Sequence, residues 1–238
     1  PVLGDRPIRQ IAPFHLEKLK KQMLDGGLKP RTVEYALAVI RQVFNYARDH
    51  GLFDGINPVT KVKAPKKDNR RIRFLSHEEA EQLLKALAEK SPELRDMALL
   101  ALQCGPRAGE IFALTWNDID FEHGIVTFRH TKNGRVRHVP MTDRVKEMFR
   151  GRKGNIGSEL IFPARNGKQR KDVSKVFTQV VDNLGLNDDI EDPRQWIVFH
   201  GLRHTCASWL VMAGVPLYTV KEFLGHSQIS QTERYAHL

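Results

Sequence analysis

Three short segments near the C-terminal end have the sequences His-Gly-Leu-Arg-His-Thr (residues 200–205), Leu-Gly-His-Ser (224–227) and Thr-Glu-Arg-Tyr (232–235). His200 and Arg203 are three residues apart, a spacing that puts both side chains on one face of a helix, about 5–6 Å apart at Cβ. A turn at residues 225–230 would fold His226 and Tyr235 back towards this pair. The segments therefore predict a cluster in which a phenol meets phosphate-binding donors.

Such a cluster suits the attack of a tyrosine hydroxyl on a phosphodiester. Because a free tyrosine has a pKa of about 10, ionising it near pH 7 costs roughly 4 kcal/mol, which neighbouring groups must supply. The planar fork of an arginine can donate to two phosphate oxygens at once. A histidine can exchange a proton near neutral pH. These residue types together indicate covalent catalysis on a phosphate ester.

At these positions the chain resembles the tyrosine recombinase, or phage-type integrase, family. The resemblance rests on His-x-x-Arg at residues 200–203, Leu-Gly-His at 224–226 and Arg-Tyr-Ala-His at 234–237. It implies a mainly α fold with a small antiparallel β-sheet, built as a two-domain DNA clamp of a helical core-binding domain and a catalytic domain. It also implies site-specific cleavage and rejoining of DNA strands through a 3′-phosphotyrosine intermediate, in the integration or excision of a mobile element.

The resemblance implies two site residues earlier in the chain. Gly105, Arg107 and Glu110 match the family pattern Gly-x-Arg-x-x-Glu, which makes Arg107 the second catalytic arginine and Glu110 its orienting partner. Taken alone, Arg-x-x-Glu is a common ion pair on helices. The resemblance also implies a role for each site residue. Tyr235 is the nucleophile, and His200 assists proton transfer from it. Arg107 and Arg203 neutralise charge on the phosphorane, while His226 donates to a non-bridging oxygen.

A hairpin is predicted to carry the general acid. The runs 125–130 and 136–141 flank Lys132-Asn133-Gly134, and Asn-Gly is a strong hairpin signal because both turn positions favour positive φ. Lys132 at this tip resembles the family lysine that protonates the leaving 5′ oxygen. Lys168, next to the turn at residues 166–167, is its main competitor. His204 and His237 are interpreted as structural or surface residues.

Positive charge is concentrated in the first third of the chain. The net charge is +10, and residues 1–72 hold 15 Lys and Arg against 7 Asp and Glu, whereas the remainder holds 23 against 21. A basic module of this kind is typical of nucleic-acid binding, although a solvated surface is the alternative. The candidate DNA contacts are Arg31, Arg41, Arg48, Lys61, Lys63, Lys66, Lys67, Arg70 and Arg71.

Helical spacing of apolar residues and Gly or Pro punctuation outline the domains. We predict a helical core-binding domain at residues 1–62, a basic linker at 63–73 and a catalytic domain at 74–238. One helix is predicted at residues 11–24, and a second begins at residue 30. A third follows the capping box at Ser76 and Glu79, and a fourth begins at Pro92. Further helices are predicted at 143–150, 172–184, 200–212 and 216–223.

Composition narrows the class of protein. With 41% hydrophobic and 28% charged residues, the chain has the profile of a globular protein, and it contains no apolar run long enough to span a membrane. Cys104 and Cys206 are predicted to be buried free thiols, which fits a cytoplasmic protein encoded by a bacterium or phage. No cofactor is expected, and no metal motif accompanies the histidines. Because the chain begins at Pro1, we expect it to be a fragment or processed form.

The expected partner is a double-stranded DNA recombination site. The family resemblance implies self-association into a tetramer on DNA, possible help from accessory DNA-bending proteins, and no membrane partner. Three alternatives remain open from the sequence: a type IB topoisomerase with the same chemistry, a non-catalytic DNA-binding regulator, and a metal-dependent nuclease that uses the histidines.

Overall fold

A computed structural model describes residues 3–4, 6–65, 73–129, 134–153 and 159–238. Within these ranges no helix is both long and apolar enough to cross a membrane. The chain is mainly helical, with one small sheet. The helices are α1 (Pro13–Asp25), α2 (Pro30–Asp49), α3 (His77–Lys90), α4 (Pro92–Cys104), α5 (Ala108–Phe112), α6 (Asp143–Arg152), α7 (Val176–Asn183), α8 (Phe199–Met212) and α9 (Leu217–Leu224), and the strands are β1 (Ile119–Asp120), β2 (Ile125–Phe128) and β3 (Arg137–Pro140).

The chain divides into two compact units, Pro1–Asn69 and Arg70–Leu238. In the first unit, α1 and α2 each begin with a proline at the first helical position, where its missing N–H costs nothing. Leu16 of α1 packs against Val33 and Leu37 of α2, and the 3-10 turn Pro58–Lys61 adds Val59 to this core. Apolar residues of both helices therefore form the core of this unit.

The second unit is organised around α4. This helix is buried along most of its length, including the run Met97–Leu102, because α3, α6 and α8 pack against it. The capping box predicted before α3 is present: the Ser76 hydroxyl accepts from the Glu79 N–H at 3.1 Å, and the Glu79 carboxylate accepts from the Ser76 N–H at 2.8 Å. It fixes where α3 begins.

The sheet is antiparallel, in the order β1-β2-β3. Strands β2 and β3 are the predicted hairpin strands, paired with Val126 opposite Val139, both of which are fully buried. Of the predicted hairpin tip, Lys132 and Asn133 lie outside the described residues, and Gly134 has φ +67°. Strand β1 was not predicted, because two residues carry no readable alternation.

Two glycines let the ends of α4 and α9 approach each other. Gly105 ends α4 with φ +61°, and a Cβ there would lie 2.6 Å from Leu224 Cδ2. Gly225 ends α9 with φ +68°, and a Cβ there would lie 3.1 Å from Arg137 Cδ. Both residues have a positive φ, and a Cβ at either position would crowd a neighbouring side chain. The segments that follow α4 and α9 therefore converge with strand β3.

Candidate active site

Arg203 lies at the centre of this convergence. It projects from α8 and is only 3% exposed, with Nη1 donating to the Gly105 carbonyl at 2.5 Å and Nη2 donating to the Leu224 carbonyl at 2.6 Å. Burial, together with the charges of Arg107 and Arg137, lowers the pKa of Arg203 to about 9. An anion that reached this guanidinium would relieve the repulsion among the three arginines.

Glu110 joins two of these arginines. Its carboxylate accepts from the Arg107 backbone N–H at 2.8 Å, from Arg107 Nη1 at 3.0 Å and from Arg137 Nη2 at 2.8 Å. Burial opposes the ionisation of Glu110, but the hydrogen bond and charge of Arg137 hold its pKa below the ordinary value. Glu110 therefore stays a carboxylate that orients Arg107, whose side chain is 22% exposed.

Arg137 is a site residue that the sequence analysis missed. It is 7% exposed on strand β3, and its guanidinium lies over the Phe128 ring, 4.4 Å from the centroid. Its Nε and Nη1 have no hydrogen-bond partner among the described residues. The available signal was its register, because Arg137 lies two residues before buried Val139 and therefore on the same inward face of the strand. An arginine at an inward position of a strand indicates a buried partner.

Arg137→Met should destabilise the second unit by about 3–5 kcal/mol, because it removes the more deeply buried of the two arginines that pair with the Glu110 carboxylate. Adding Glu110→Gln should recover part of that loss, with a coupling of about 0.5–3 kcal/mol. Denaturant unfolding followed by tryptophan fluorescence reports on this unit alone, since Trp116, Trp196 and Trp209 all lie in it.

The matched control is Arg144→Met, which breaks an exposed pair with Glu81 and should change stability by less than about 1 kcal/mol. Strictly additive effects of Arg137→Met and Glu110→Gln would contradict the coupled pair.

His226 follows directly after Gly225. Its Nδ1 lies 2.8 Å from the hydroxyl of Thr232, which is fully buried. Burial and the charges of the surrounding arginines, first Arg203 and Arg107, lower the pKa of His226 to about 3. The imidazole is therefore neutral at pH 7. If the Thr232 hydroxyl donates to Nδ1, the ring proton is on Nε2 and is available to a ligand oxygen.

Tyr235 ends a short 3-10 turn, Glu233–Tyr235, and is 6% exposed. Its ring packs among Ala207, Val220 and Leu224. Burial raises the pKa of Tyr235 to about 12, although the charges of Arg234 and Arg203 act in the opposite direction. The phenol is thus held near the arginines in its protonated form, and its ionisation needs a proton acceptor.

His204 is the second residue that the sequence analysis missed. Interpreted there as structural or surface, it is half-buried, and its Nδ1 lies 2.5 Å from the Tyr235 hydroxyl oxygen. His200, one turn earlier on α8, is exposed, and its ring packs edge to face against His204 with centroids 5.1 Å apart. The signal was the four-residue spacing, which puts both histidines on one helix face.

The structure thus brings Arg107, Glu110 and Arg203 together with His226 and Tyr235. It also places His200 against the ring of His204, which contacts the Tyr235 hydroxyl. Lys132 lies outside the described residues. Its competitor Lys168 is an exposed residue in a turn, where its N–H donates to Asn166 Oδ1. The choice between the two lysines stays a prediction.

The basic residues predicted to contact DNA are exposed wherever the structure describes them. Arg31, Arg41 and Arg48 lie on α2, and Arg31 pairs with Glu34 at 2.6 Å. The other members of the predicted set divide into two groups: Lys61 and Lys63 are exposed at the end of the first unit, and Lys66, Lys67, Arg70 and Arg71 lie outside the described residues. No group of three His, Cys, Asp or Glu side chains in the described ranges is arranged to hold a metal ion.

Both the sequence and the fold of this chain resemble those of known proteins. The model of the phage integrase family matches residues 73–238. The tyrosine recombinase XerC of Xanthomonas campestris pv. campestris is 28% identical over 242 residues, which cover 99% of this chain and 72% of that protein. The shufflon-specific DNA recombinase of Escherichia coli is 31% identical over 208 residues, which cover 87% of this chain and 51% of that protein.

Solved structures share the fold at low sequence identity. A Tn1549 transposon integrase in complex with transposon right end DNA superposes with a TM-score of 0.82 at 21% identity, covering 98% of this chain and 83% of that chain. A lambda integrase tetramer bound to a Holliday junction gives 0.77 at 23% identity, covering 96% and 68%. These matches agree with the predicted mainly α fold and its small antiparallel sheet.

The resemblance read from three motifs is therefore confirmed over a continuous match of 166 residues, counted from 73 to 238. No finding favours the topoisomerase or the regulator. The chain belongs to the phage integrase family and is a tyrosine-type site-specific DNA recombinase.

Proposed function

We propose that Tyr235 attacks the scissile phosphate of a recombination site, forming a 3′-phosphotyrosyl protein and a free 5′ hydroxyl. The bond energy of the phosphodiester stays in this intermediate, so the 5′ hydroxyl of another strand can reverse the step without an external energy source. The observation that carries the proposal is the pair of hydrogen bonds from Arg203 to the Gly105 and Leu224 carbonyls. Because these carbonyls precede the segments that carry Arg107, His226 and Tyr235, the two bonds support a single site that contains all three residues.

The charges of this site favour a phosphate at its centre. Arg107, Arg137 and Arg203 face one carboxylate, that of Glu110, so the group carries a net positive charge in the absence of DNA. In the pentacoordinate transition state the negative charge on the non-bridging oxygens grows. Donors that are already fixed in place stabilise it without further reorganisation. We assign Arg107 and Arg203 to these oxygens, with the Nε2–H of His226 as a further donor.

Proton transfer needs groups at both ends of the reaction. We propose that His200, which is exposed beside His204, assists proton transfer from Tyr235. Lys132 is proposed as the acid that protonates the leaving 5′ oxygen, on the basis of its place between the two hairpin strands. The proposed site needs no cofactor for these steps.

Lys132→Ala should slow cleavage by about 10²–10⁴-fold, the usual contribution of general acid catalysis. A substrate with sulfur in place of the leaving 5′ oxygen should restore most of the rate, because a thiolate leaves without protonation. Lys168→Ala is the matched variant and should cleave both substrates like the unaltered protein. Rescue of Lys168→Ala instead of Lys132→Ala would transfer the role to Lys168.

The first unit would bind the DNA backbone. The exposed basic residues of α2 and the two lysines after it support phosphate contacts, and we propose that the basic linker predicted at residues 63–73 adds further contacts. We propose a tetramer on a double-stranded site, with accessory DNA-bending proteins where the element requires them. Integration or excision of a mobile element in a bacterial or phage setting, in the cytoplasm, is the proposed biological role.

The proposed function is tested with DNA of defined sequence. Bound duplexes are first selected from a random library, and the selected site is then built into a nicked suicide substrate, in which the released strand end diffuses away. Denaturing electrophoresis should show a covalent protein–DNA adduct. A supercoiled plasmid without this site should stay supercoiled, and its efficient relaxation would instead indicate a topoisomerase. Cleavage that a chelator abolishes and that leaves no adduct would indicate a nuclease.

A further inference from the structure

We propose that His204 is a catalytic residue: its Nδ1 accepts the proton of the Tyr235 hydroxyl as Tyr235 attacks phosphorus. The inference deepens the proposed function and rests on it. It assigns the proton to a histidine that neither the motif comparison nor the sequence analysis selected for this step.

The contact that carries the proposal is direct. His204 Nδ1 and the Tyr235 hydroxyl oxygen are 2.5 Å apart, within hydrogen-bond reach, and the two rings have centroids 6.0 Å apart. A general base must lie within hydrogen-bond reach of the proton that it removes. His204 meets that requirement before DNA binds.

The surroundings of Tyr235 make a protein acceptor necessary. The side chain is 6% exposed and packs among apolar residues of α8 and α9. Bulk water therefore has little access to the hydroxyl, and burial also disfavours a free phenolate. A neutral imidazole in contact can take the proton at the moment when the Tyr235 oxygen shares its charge with phosphorus.

His200 fits this scheme as a neighbour of the base. Its ring lies edge to face with that of His204, with centroids 5.1 Å apart, and it is exposed where His204 is half-buried. Both side chains are on the same face of α8. The exposed histidine would then influence Tyr235 through His204.

The step balances as follows. Nδ1 is unprotonated at the start, and the ring proton is on Nε2. As the bond between the Tyr235 oxygen and phosphorus forms, the O–H bond breaks and its proton moves to Nδ1, which leaves an imidazolium. The bond between phosphorus and the 5′ oxygen breaks, and its electron pair stays on that oxygen, which takes a proton from the general acid. During rejoining, the imidazolium returns its proton to Tyr235.

The test compares three variants at one position. His204→Asn places an amide oxygen where Nδ1 was, so it can still accept the hydrogen bond but cannot take a proton. His204→Gln places its polar atoms nearer the former Nε2, and His204→Ala removes both. The rate of adduct formation is measured in a single turnover on the suicide substrate, with DNA affinity and thermal unfolding measured in parallel.

If His204 is the base, all three variants lose about 10²-fold or more in the rate of adduct formation, and His204→Asn is no better than His204→Ala. If His204 only positions Tyr235, His204→Asn stays within about 3-fold of the unaltered protein while His204→Ala is slow, and the proposal is overturned.

A second measurement covers the case in which a variant is poorly folded. Fluorotyrosine incorporated at position 235 has a more acidic phenol, which needs less help to lose its proton. The rate deficit of His204→Asn should therefore shrink by about 10-fold or more in the fluorinated protein, as expected when proton removal is the lost contribution. An unchanged deficit would refute the base role. Absence of any adduct with unaltered His204 and Tyr235 would instead refute the proposed function.

Discussion

Tyr235→Phe is expected to abolish the covalent protein–DNA adduct, with a loss of at least about 10⁴-fold that reaches the detection limit, because no other group supplies the nucleophilic oxygen. The phenyl ring can stay in its pocket among Ala207, Val220 and Leu224. The change removes one hydroxyl and its hydrogen bond to His204, which is worth about 1 kcal/mol. The variant should therefore fold and bind DNA like the unaltered protein.

The control for this prediction lies in the same unit. Tyr218 is 67% exposed on α9, so Tyr218→Phe removes a phenol oxygen without touching the site and should form the adduct at the normal rate. Both variants are compared on the suicide substrate by denaturing electrophoresis. Adduct formation by Tyr235→Phe would show that another nucleophile acts.

Arg203→Lys is expected to have the second largest effect, although it keeps the positive charge. A lysine has one nitrogen in place of the two guanidinium nitrogens that donate to the Gly105 and Leu224 carbonyls, and it lacks the planar fork that would present a further donor to phosphate. Loss of one transition-state donor usually lowers a rate by about 10²–10³-fold. Leaving a buried carbonyl without its partner adds a stability loss of about 1–3 kcal/mol.

The two consequences of Arg203→Lys are separated by measurement. The single-turnover rate of adduct formation reports on the phosphate donor, and tryptophan-monitored unfolding reports on the two carbonyls. Arg144→Lys, at an exposed ion pair with Glu81, is the matched control and should change neither. A normal cleavage rate in a destabilised Arg203→Lys protein would limit Arg203 to a structural role.

The residues that the sequence predicted best are those that local spacing defines. His200 and Arg203 lie three residues apart on the predicted helix, α8, and the capping box at Ser76 lies where the pattern predicts it. Gly225 was expected to begin the turn at residues 225–230, and it has a positive φ. Each of these features depends on a few neighbouring residues, so one segment contains the information.

Contacts between distant segments were not readable in the same way. Arg137 pairs with Glu110 across 27 residues, and His204 reaches Tyr235 across 31. An arginine in a strand and a histidine in a helix are both ordinary surface residues until the partner element is known. Their roles follow from how β3, α5 and α8 pack, which no single stretch of sequence encodes.

The most direct measurement identifies the residue that becomes attached to DNA. The adduct from the suicide substrate is digested with protease and nuclease, and mass spectrometry locates the remaining nucleotide. We predict a single modified peptide with a 3′-linked nucleotide on Tyr235, present with the unaltered protein and missing from Tyr235→Phe. A nucleotide attached to any other side chain, or linked through its 5′ phosphate, would contradict the account.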